Sequence, residues 1–346
     1  MHDGEKRIRG MRIVLVLAVL LALSGAVHVS AALLDPLTIP KWENTITGAP
    51  PVYMETTKNY YEVNVSKFNQ TILPPSMNLN TTVYGYGGLA MDPVTKVALG
   101  YVRNSPGPSF EVQKGVPITV KYTNNLTDPH MFPVDPTLMW ANPNGMATPV
   151  EPFEAFPPGY ADAQSNIPIC VHLHGGEVPA TVDGGPDAWF TADGKHGTEY
   201  YTARPTDINS AVYGYPNSQE AATLWYHDHA LGMTRLNVVA GLAGFYLLRD
   251  NKDKVESSLP KGKYEVPLAI QDRTFNDDGT FNFPIEPTSP EAHPYWGPEF
   301  FGDTIMVNGL VWPKMPVDQA AYRFRLLDGS TARFYNLSFS NGMPFT

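Results

Sequence analysis

Proline decides first what this chain can become. The sequence has 33 prolines in 346 residues, close to twice the usual share of about 5%. Each removes a backbone donor and fixes φ, so neither a long helix nor a central strand runs through it. They are densest over residues 127–167, at 129, 133, 136, 143, 149, 152, 157 and 158, with another at 168, which predicts an ordered surface excursion without regular elements. Elsewhere, short runs rich in β-branched and aromatic residues stand between turn signals, at 60–65, 82–86, 118–122, 169–174, 223–227 and 242–248. That rhythm predicts the strands of an all-β sandwich or barrel. Charged residues supply only 17% of the chain and apolar ones 43%, enough to fill a core and too few charges for long solvated helices.

The formal net charge is −10, and no run of Lys or Arg follows residue 12. The electrostatic footprint of nucleic-acid binding is missing, and that class is excluded. Residues 13–23 are continuously apolar behind Lys6, Arg7, Arg9 and Arg12 and end in Val29, Ser30 and Ala31. This predicts a signal peptide over residues 1–31 and an extracytoplasmic protein with no stable membrane insertion after cleavage; the competing reading is an uncleaved anchor. Five N-x-[ST] sequons, at Asn64, Asn69, Asn80, Asn125 and Asn336, fit an exported surface. Cys170 is the only cysteine, so no internal disulfide forms; it reads as a small buried hydrophobe.

The charged segment 251–263 breaks the apolar rhythm after a first domain at 32–250 and reads as a linker. Strand patterns resume at 264–270, 304–307, 322–327 and 334–339. Four strands are too few for a sandwich of about seven, so residues 264–346 read as an incomplete second domain.

The chemistry lies in the histidines. Of nine, four form two H-x-H pairs, His172 with His174 and His227 with His229, where chance gives about 0.2 such pairs. On a strand, residues i and i+2 share a face, so each pair presents two imidazoles about 6–7 Å apart. That separation suits two adjacent metal ions, and a donor set of imidazoles alone favours copper first. Leu173 should point to the apolar side, Asp228 should accept a hydrogen bond rather than ligate, and Gly175 and Gly176 should admit a second backbone. His130, His196 and His293 stand alone among loops and receive no metal role, and the irregularly spaced Met131, Met139 and Met146 read as packing or surface residues.

The segments ICVHLHGGEVPATVDGGPDAWF (169–190) and LWYHDHALGMTRLNVVAGLAGFYLLRD (224–250) resemble the first two copper motifs of multicopper oxidases, in the spore-coat laccase and bilirubin oxidase branch. VPLAIQDRTF, GDTIMVNG and YRFRLLDGSTARFYNLSFSNG resemble the opening of that branch's second domain. The resemblance implies cupredoxin-like Greek-key domains, the first complete and the second cut short. It implies His172 as a type-2 copper ligand, His174, His227 and His229 as ligands of the type-3 pair, and Asp183 as a proton-delivering acid; as a residue before Gly184, Asp183 also reads as a plain turn residue. The partners implied are dioxygen, reduced to water, and a small electron donor such as a phenol, bilin or metal ion, oxidised one electron at a time.

The family's third-domain motifs H-P-x-H-x-H and H-C-H do not occur in these 346 residues. A type-1 copper is therefore not expected here, and the resemblance implies an N-terminal part that supplies half of a trinuclear copper cluster, completed by a missing C-terminal portion or a partner subunit. The alternative is a non-catalytic copper- or zinc-binding protein. A two-domain oxidase with a cluster between subunits would need a Cys flanked by His after Asp250, and none is present.

Overall fold

The computed structural model describes residues 31–147, 160–285 and 296–345. The expected leader lies outside them but for its last residue, as do His293 and four prolines of the excursion. No helix of the described residues is long and apolar enough to cross a membrane.

Ten strands form one sheet. They are β1 (Val52–Tyr53), β2 (Tyr60–Gln70), β3 (Thr81–Met91), β4 (Ala98–Asn104) and β5 (Gly107–Gln113), then β6 (Ile118–Asn124), β7 (Val171–His174), β8 (Ser210–Tyr215), β9 (Ala222–Asp228) and β10 (Ala243–Arg249). Their order is β7-β9-β10-β5-β1-β3-β2-β6-β8, with β4 paired to β3. All six strand runs expected in the first part are present. β1, β4, β5 and β8 were not foreseen, because Pro and Gly inside or beside them mask the pattern. The alternation in β2 is direct: Tyr61, Val63 and Val65 are buried while Glu62 faces out.

The sheet curls so that strands that do not pair, such as β5 with β2 and β9, meet through their inner side chains. Phe110 of β5 touches Tyr61 of β2, Tyr226 of β9 and Tyr246 of β10, with ring centroids 5.3–5.4 Å apart. This core is rich in tyrosine, and a buried phenol needs a partner for its hydroxyl. Tyr226 donates to the Pro108 carbonyl at 2.7 Å, and the Tyr122 and Tyr215 hydroxyls pair at 3.3 Å.

A second sheet holds β11 (Glu265–Phe275), β12 (Phe281–Asn282), β13 (Thr304–Val307), β14 (Leu310–Val311) and β15 (Arg323–Asp328). Its order is β12-β11-β13-β14, with β15 parallel to β11. Residues 334–339 are not a strand. They carry strand-type residues but find no ladder partner among the described residues, and propensity without pairing does not make a strand.

The charged segment expected as a linker carries the helix Lys254–Ser258, whose Glu256 pairs with Arg249, Arg323 and Arg325. Glu265 joins the same network at 2.7 Å from Arg249 and 2.6 Å from Arg325. Phe245 and Leu247 of β10 pack on Ala269 and Leu327 beside it. The segment is thus an ion-paired element between the two sheets, and residues from Leu33 onward form one unit.

The proline-rich excursion also departs from expectation. Among its described residues, His130, Phe132, Val134 and Trp140 are buried in the core rather than lying on the surface. Its only regular element among the described residues is the short helix Ala161–Gln164, which lies between the prolines and was not expected; proline limits regular structure here without stopping the stretch from burying apolar side chains. It lies against the turn that follows β9, where Ala141 donates to the Leu231 carbonyl at 2.8 Å.

Candidate metal centre

β7 and β9 are antiparallel neighbours in register His172↔His227 and His174↔Trp225. The two pairs therefore meet side by side on one sheet, not across two facing sheets. Alternation sends Leu173 and Tyr226 down into the core, 2% and 0% exposed, and lifts the imidazoles to the opposite face. β9 ends at Asp228, so His229 lies past the strand, held by its N–H donating to the Cys170 carbonyl at 2.7 Å. The His172 ring is 5.6 Å from His174, 5.4 Å from His227 and 4.9 Å from His229, centroid to centroid. His172, His174 and His227 bring one nitrogen each within 4.8 Å of the others.

Two of the rings are oriented by a carbonyl that their Nδ1 meets. His172 Nδ1 donates to the Asp183 carbonyl at 2.5 Å and His227 Nδ1 to the Asp228 carbonyl at 2.7 Å. In both rings the fixed Nδ1–H leaves Nε2 with its lone pair turned to the cluster. His174 Nδ1 lies 3.1 Å from His227 Nε2. His229 Nδ1 is buried and has no hydrogen-bond partner, which is costly for a polar atom unless a ligand completes it. Burial holds the His227 imidazole down at about 3, and burial with the neighbouring imidazoles also lowers His174 and His229. These groups are neutral near pH 7, the form that donates a lone pair. Four clustered imidazoles, one of them with an unpartnered nitrogen, fit a soft or borderline divalent metal.

Asp228 behaves as expected of a supporting residue. It is 0% exposed and accepts from the Cys170 N–H at 2.9 Å, the Ala230 N–H at 3.2 Å and the Asn237 amide at 2.9 Å. The carboxylate ties the start of β7 to the turn carrying His229. Burial lifts it to about 7, opposed by those three donors. Asn237, on the helix Thr234–Ala240, also donates to the Pro168 carbonyl at 3.0 Å and pairs with His130 Nε2 at 3.1 Å. His130 is thereby a structural histidine, pushed down to about 4 by burial.

Asp183 stands at the end of the turn Ala180–Val182, with its carboxylate 3.5 Å from His172 Nδ1 and its side chain 44% exposed. It reaches both the cluster and solvent. The expectation for Gly175 and Gly176 needs correction. A Cβ on Gly175 would meet the Leu224 side chain and one on Gly176 the side chain and carbonyl of nearby Leu173, not the backbone of another segment, and Gly175 is set by its φ of +81°. The close backbone approach belongs to Gly184, at φ +74°, where a Cβ would strike the Val171 carbonyl and lie 3.0 Å from His172 Cα. That approach seats the Asp183 carbonyl on His172.

Cys170 is fully buried, its thiol directed to the Gly185 carbonyl at 3.3 Å and pushed well up by burial. His196 stacks on Tyr200 at 4.8 Å. Met131 and Met146 pack against the core, and Met139 is exposed. Trp225 was missed: it stacks on His227 at 4.1 Å and lies 5.1 Å from His174. The signal was present, since Trp225 precedes His227 by two and so shares its face. Asn237 carried no such signal, because only folding brings it to Asp228.

Residues 162–253 match the family model described as multicopper oxidase. A laccase of Bacillus subtilis (strain 168) is 38% identical over 304 residues, covering 85% of this chain and 50% of that protein. The multicopper oxidase LPR1 of Arabidopsis thaliana is 39% identical over 241 residues, covering 69% of this chain and 37% of that protein. The chain spans about half the length, or less, of these curated relatives. Among solved structures, a laccase from Pediococcus acidilactici matches with a TM-score of 0.53 at 20% identity, over 84% of this chain and 48% of that one. McoA multicopper oxidase from Aquifex aeolicus gives 0.52 at 21%, over 84% and 47%. At these identities the structural likeness speaks to the fold, which is all-β and cupredoxin-like. Both histidine pairs, the Asp228 brace and the Asp183–Gly184 turn lie inside the segment matched by the family model, and the chain belongs to the multicopper oxidase family.

Proposed function

We propose that this chain supplies half of the trinuclear copper cluster of an exported, laccase-like oxidase that oxidises a small donor one electron at a time and reduces dioxygen to water. The observation that carries the reading is the convergence of His172, His174, His227 and His229 on one face of paired strands. In this reading His172 is the type-2 ligand and the other three serve the type-3 pair, the rest of the cluster coming from a C-terminal portion or a partner subunit. Copper, when bound, supplies the one-electron redox chemistry. The chain's own residues orient and exclude. The Asp183 and Asp228 carbonyls fix two imidazoles, Trp225 covers His227 from one side, and the Asp183 carboxylate stands between solvent and the His172 edge, placed to pass protons inward.

The test is copper titration by calorimetry together with oxygen uptake on a phenolic donor. The expected result is copper binding that falls at least tenfold in His227→Ala, with no intense blue band and no steady oxygen uptake by this chain alone. Oxygen uptake should appear when the C-terminal portion is supplied. Tighter binding of zinc than copper, with no uptake under either condition, would instead favour a non-catalytic metal-binding protein.

A further inference from the structure

The oxidase reading leaves the sequons unused, and the fold sorts them. Four fall on one region of the first sheet: Asn64 and Asn69 within β2, Asn80 just before β3 and Asn125 just after β6. An N-linked sugar replaces a hydrogen on the asparagine Nδ2 and leaves Oδ1 as an acceptor. A site therefore keeps its native bonds only if Nδ2 is free and faces solvent. The sugar is added before folding is complete, so a site whose Nδ2 is committed in the fold carries the sugar at the fold's expense.

Asn64 and Asn125 fail this requirement. Asn125 Nδ2 donates to Asn64 Oδ1 at 3.1 Å, and the Asn209 amide in turn lies 3.4 Å from Asn125 Oδ1. The Asn64 side chain is only partly exposed and sits against the Tyr101 hydroxyl. The third residue of its sequon, Ser66, has a buried hydroxyl.

Asn69 and Asn80 meet it, in a reciprocal arrangement. Asn69 and Thr82 are directly opposite in the β2–β3 ladder. The Thr82 hydroxyl, third residue of the Asn80 sequon, donates to Asn69 Oδ1 at 2.9 Å. The Thr71 hydroxyl, third residue of the Asn69 sequon, donates to Asn80 Oδ1 at 3.1 Å. Both asparagines are exposed, and among the described residues neither Nδ2 donates to a protein group. Each carbonyl is held by the other sequon's threonine, which turns each Nδ2 outward. Asn336 is exposed but lies in coil after β15, beside the exposed Phe334 and Leu337, and no threonine holds it.

We propose that Asn69 and Asn80 are a paired N-glycan acceptor site on the β2–β3 surface. The proposal rests on export through a compartment that contains an oligosaccharyl transferase, as the leader-like N-terminus predicts. It is independent of copper and of the oxidase chemistry; absence of label on secreted protein leaves that reading untouched, and only a chain retained in the cell would also count against its export.

The experiment secretes the full chain, with its own leader, from a eukaryotic host. Peptide-N-glycosidase in 18O-labelled water then marks each formerly glycosylated Asn as labelled Asp, read by peptide mass spectrometry. The expected result is label at Asn69 and Asn80 and none at Asn64 or Asn125. The Asn69→Asp/Asn80→Asp double variant should migrate like the enzyme-treated protein, whereas Thr82→Ser, which preserves both sequon and hydroxyl, should keep the sugar. Label confined to Asn64, Asn125 or Asn336, secreted protein with no label, or a chain that never leaves the cell would each overturn the proposal.

Discussion

The two H-x-H segments have the same spacing and are built differently. The first pair sits wholly on a strand, where alternation alone sets both imidazoles on one face and drops Leu173 into the core. The second straddles the end of β9, and the residue between its histidines is a buried carboxylate with three N–H partners instead of a buried leucine. A regular strand positions a side chain by its own ladder. A turn has no ladder, so its geometry has to be fixed by specific hydrogen bonds, here from Cys170, Ala230 and Asn237. The comparison teaches that one pair depends on packing and the other on a polar network.

The in-between residues break this comparison most severely. Asp228→Ala strands three buried N–H donors, each costing about 1–3 kcal/mol, and should lower stability in urea by about 4 kcal/mol. It should also disorder His229, so that calorimetry on the protein that remains folded shows fewer bound copper ions. Leu173→Ala should cost about 3 kcal/mol through the cavity it leaves. Copper affinity should then stay within about threefold of wild type, because the β7 ladder still holds both imidazoles.

Acid distinguishes the two networks in the metal-free protein. His130 and His227 are held down at about 4 and about 3 by burial, below an unfolded value of about 6.5. Their stabilisation is therefore complete above about pH 6.5 and is lost as pH falls, by about 2 kcal/mol between pH 7 and 5.5. Asp228, raised to about 7, works in the opposite sense: its contribution is present at low pH and lost as pH rises from about 4 to 7. Thermal melts should show a shallow net loss on acidification in the wild type, and a steeper one in Asp228→Asn, where only the imidazoles titrate.

The smallest effect belongs to Asp183→Asn. It is the Asp183 backbone carbonyl that holds His172, so copper affinity should change less than about twofold. If the carboxylate delivers protons, oxygen uptake by the completed oxidase should fall by about 10²-fold or more, the lower end of general acid–base contributions. Unchanged uptake would reduce Asp183 to a turn residue.

The strands read at 60–65 and 242–248, and the four histidines with Leu173 beneath them, were legible in the sequence. Period-two alternation and i,i+2 spacing are local properties that a strand carries into any sheet. The same rule also contained Trp225, two residues before His227. What the tertiary structure alone decided is which strands become neighbours and which remote groups complete the site. The β7–β9 register sets His172 against His227, and Gly184 is required where its loop presses on Val171. The helix Thr234–Ala240 brings Asn237 to Asp228 and His130, across 9 and 107 residues of chain. A strand pattern says which way a side chain points but not what it will meet, because long-range pairing is settled by the packing of the whole sheet.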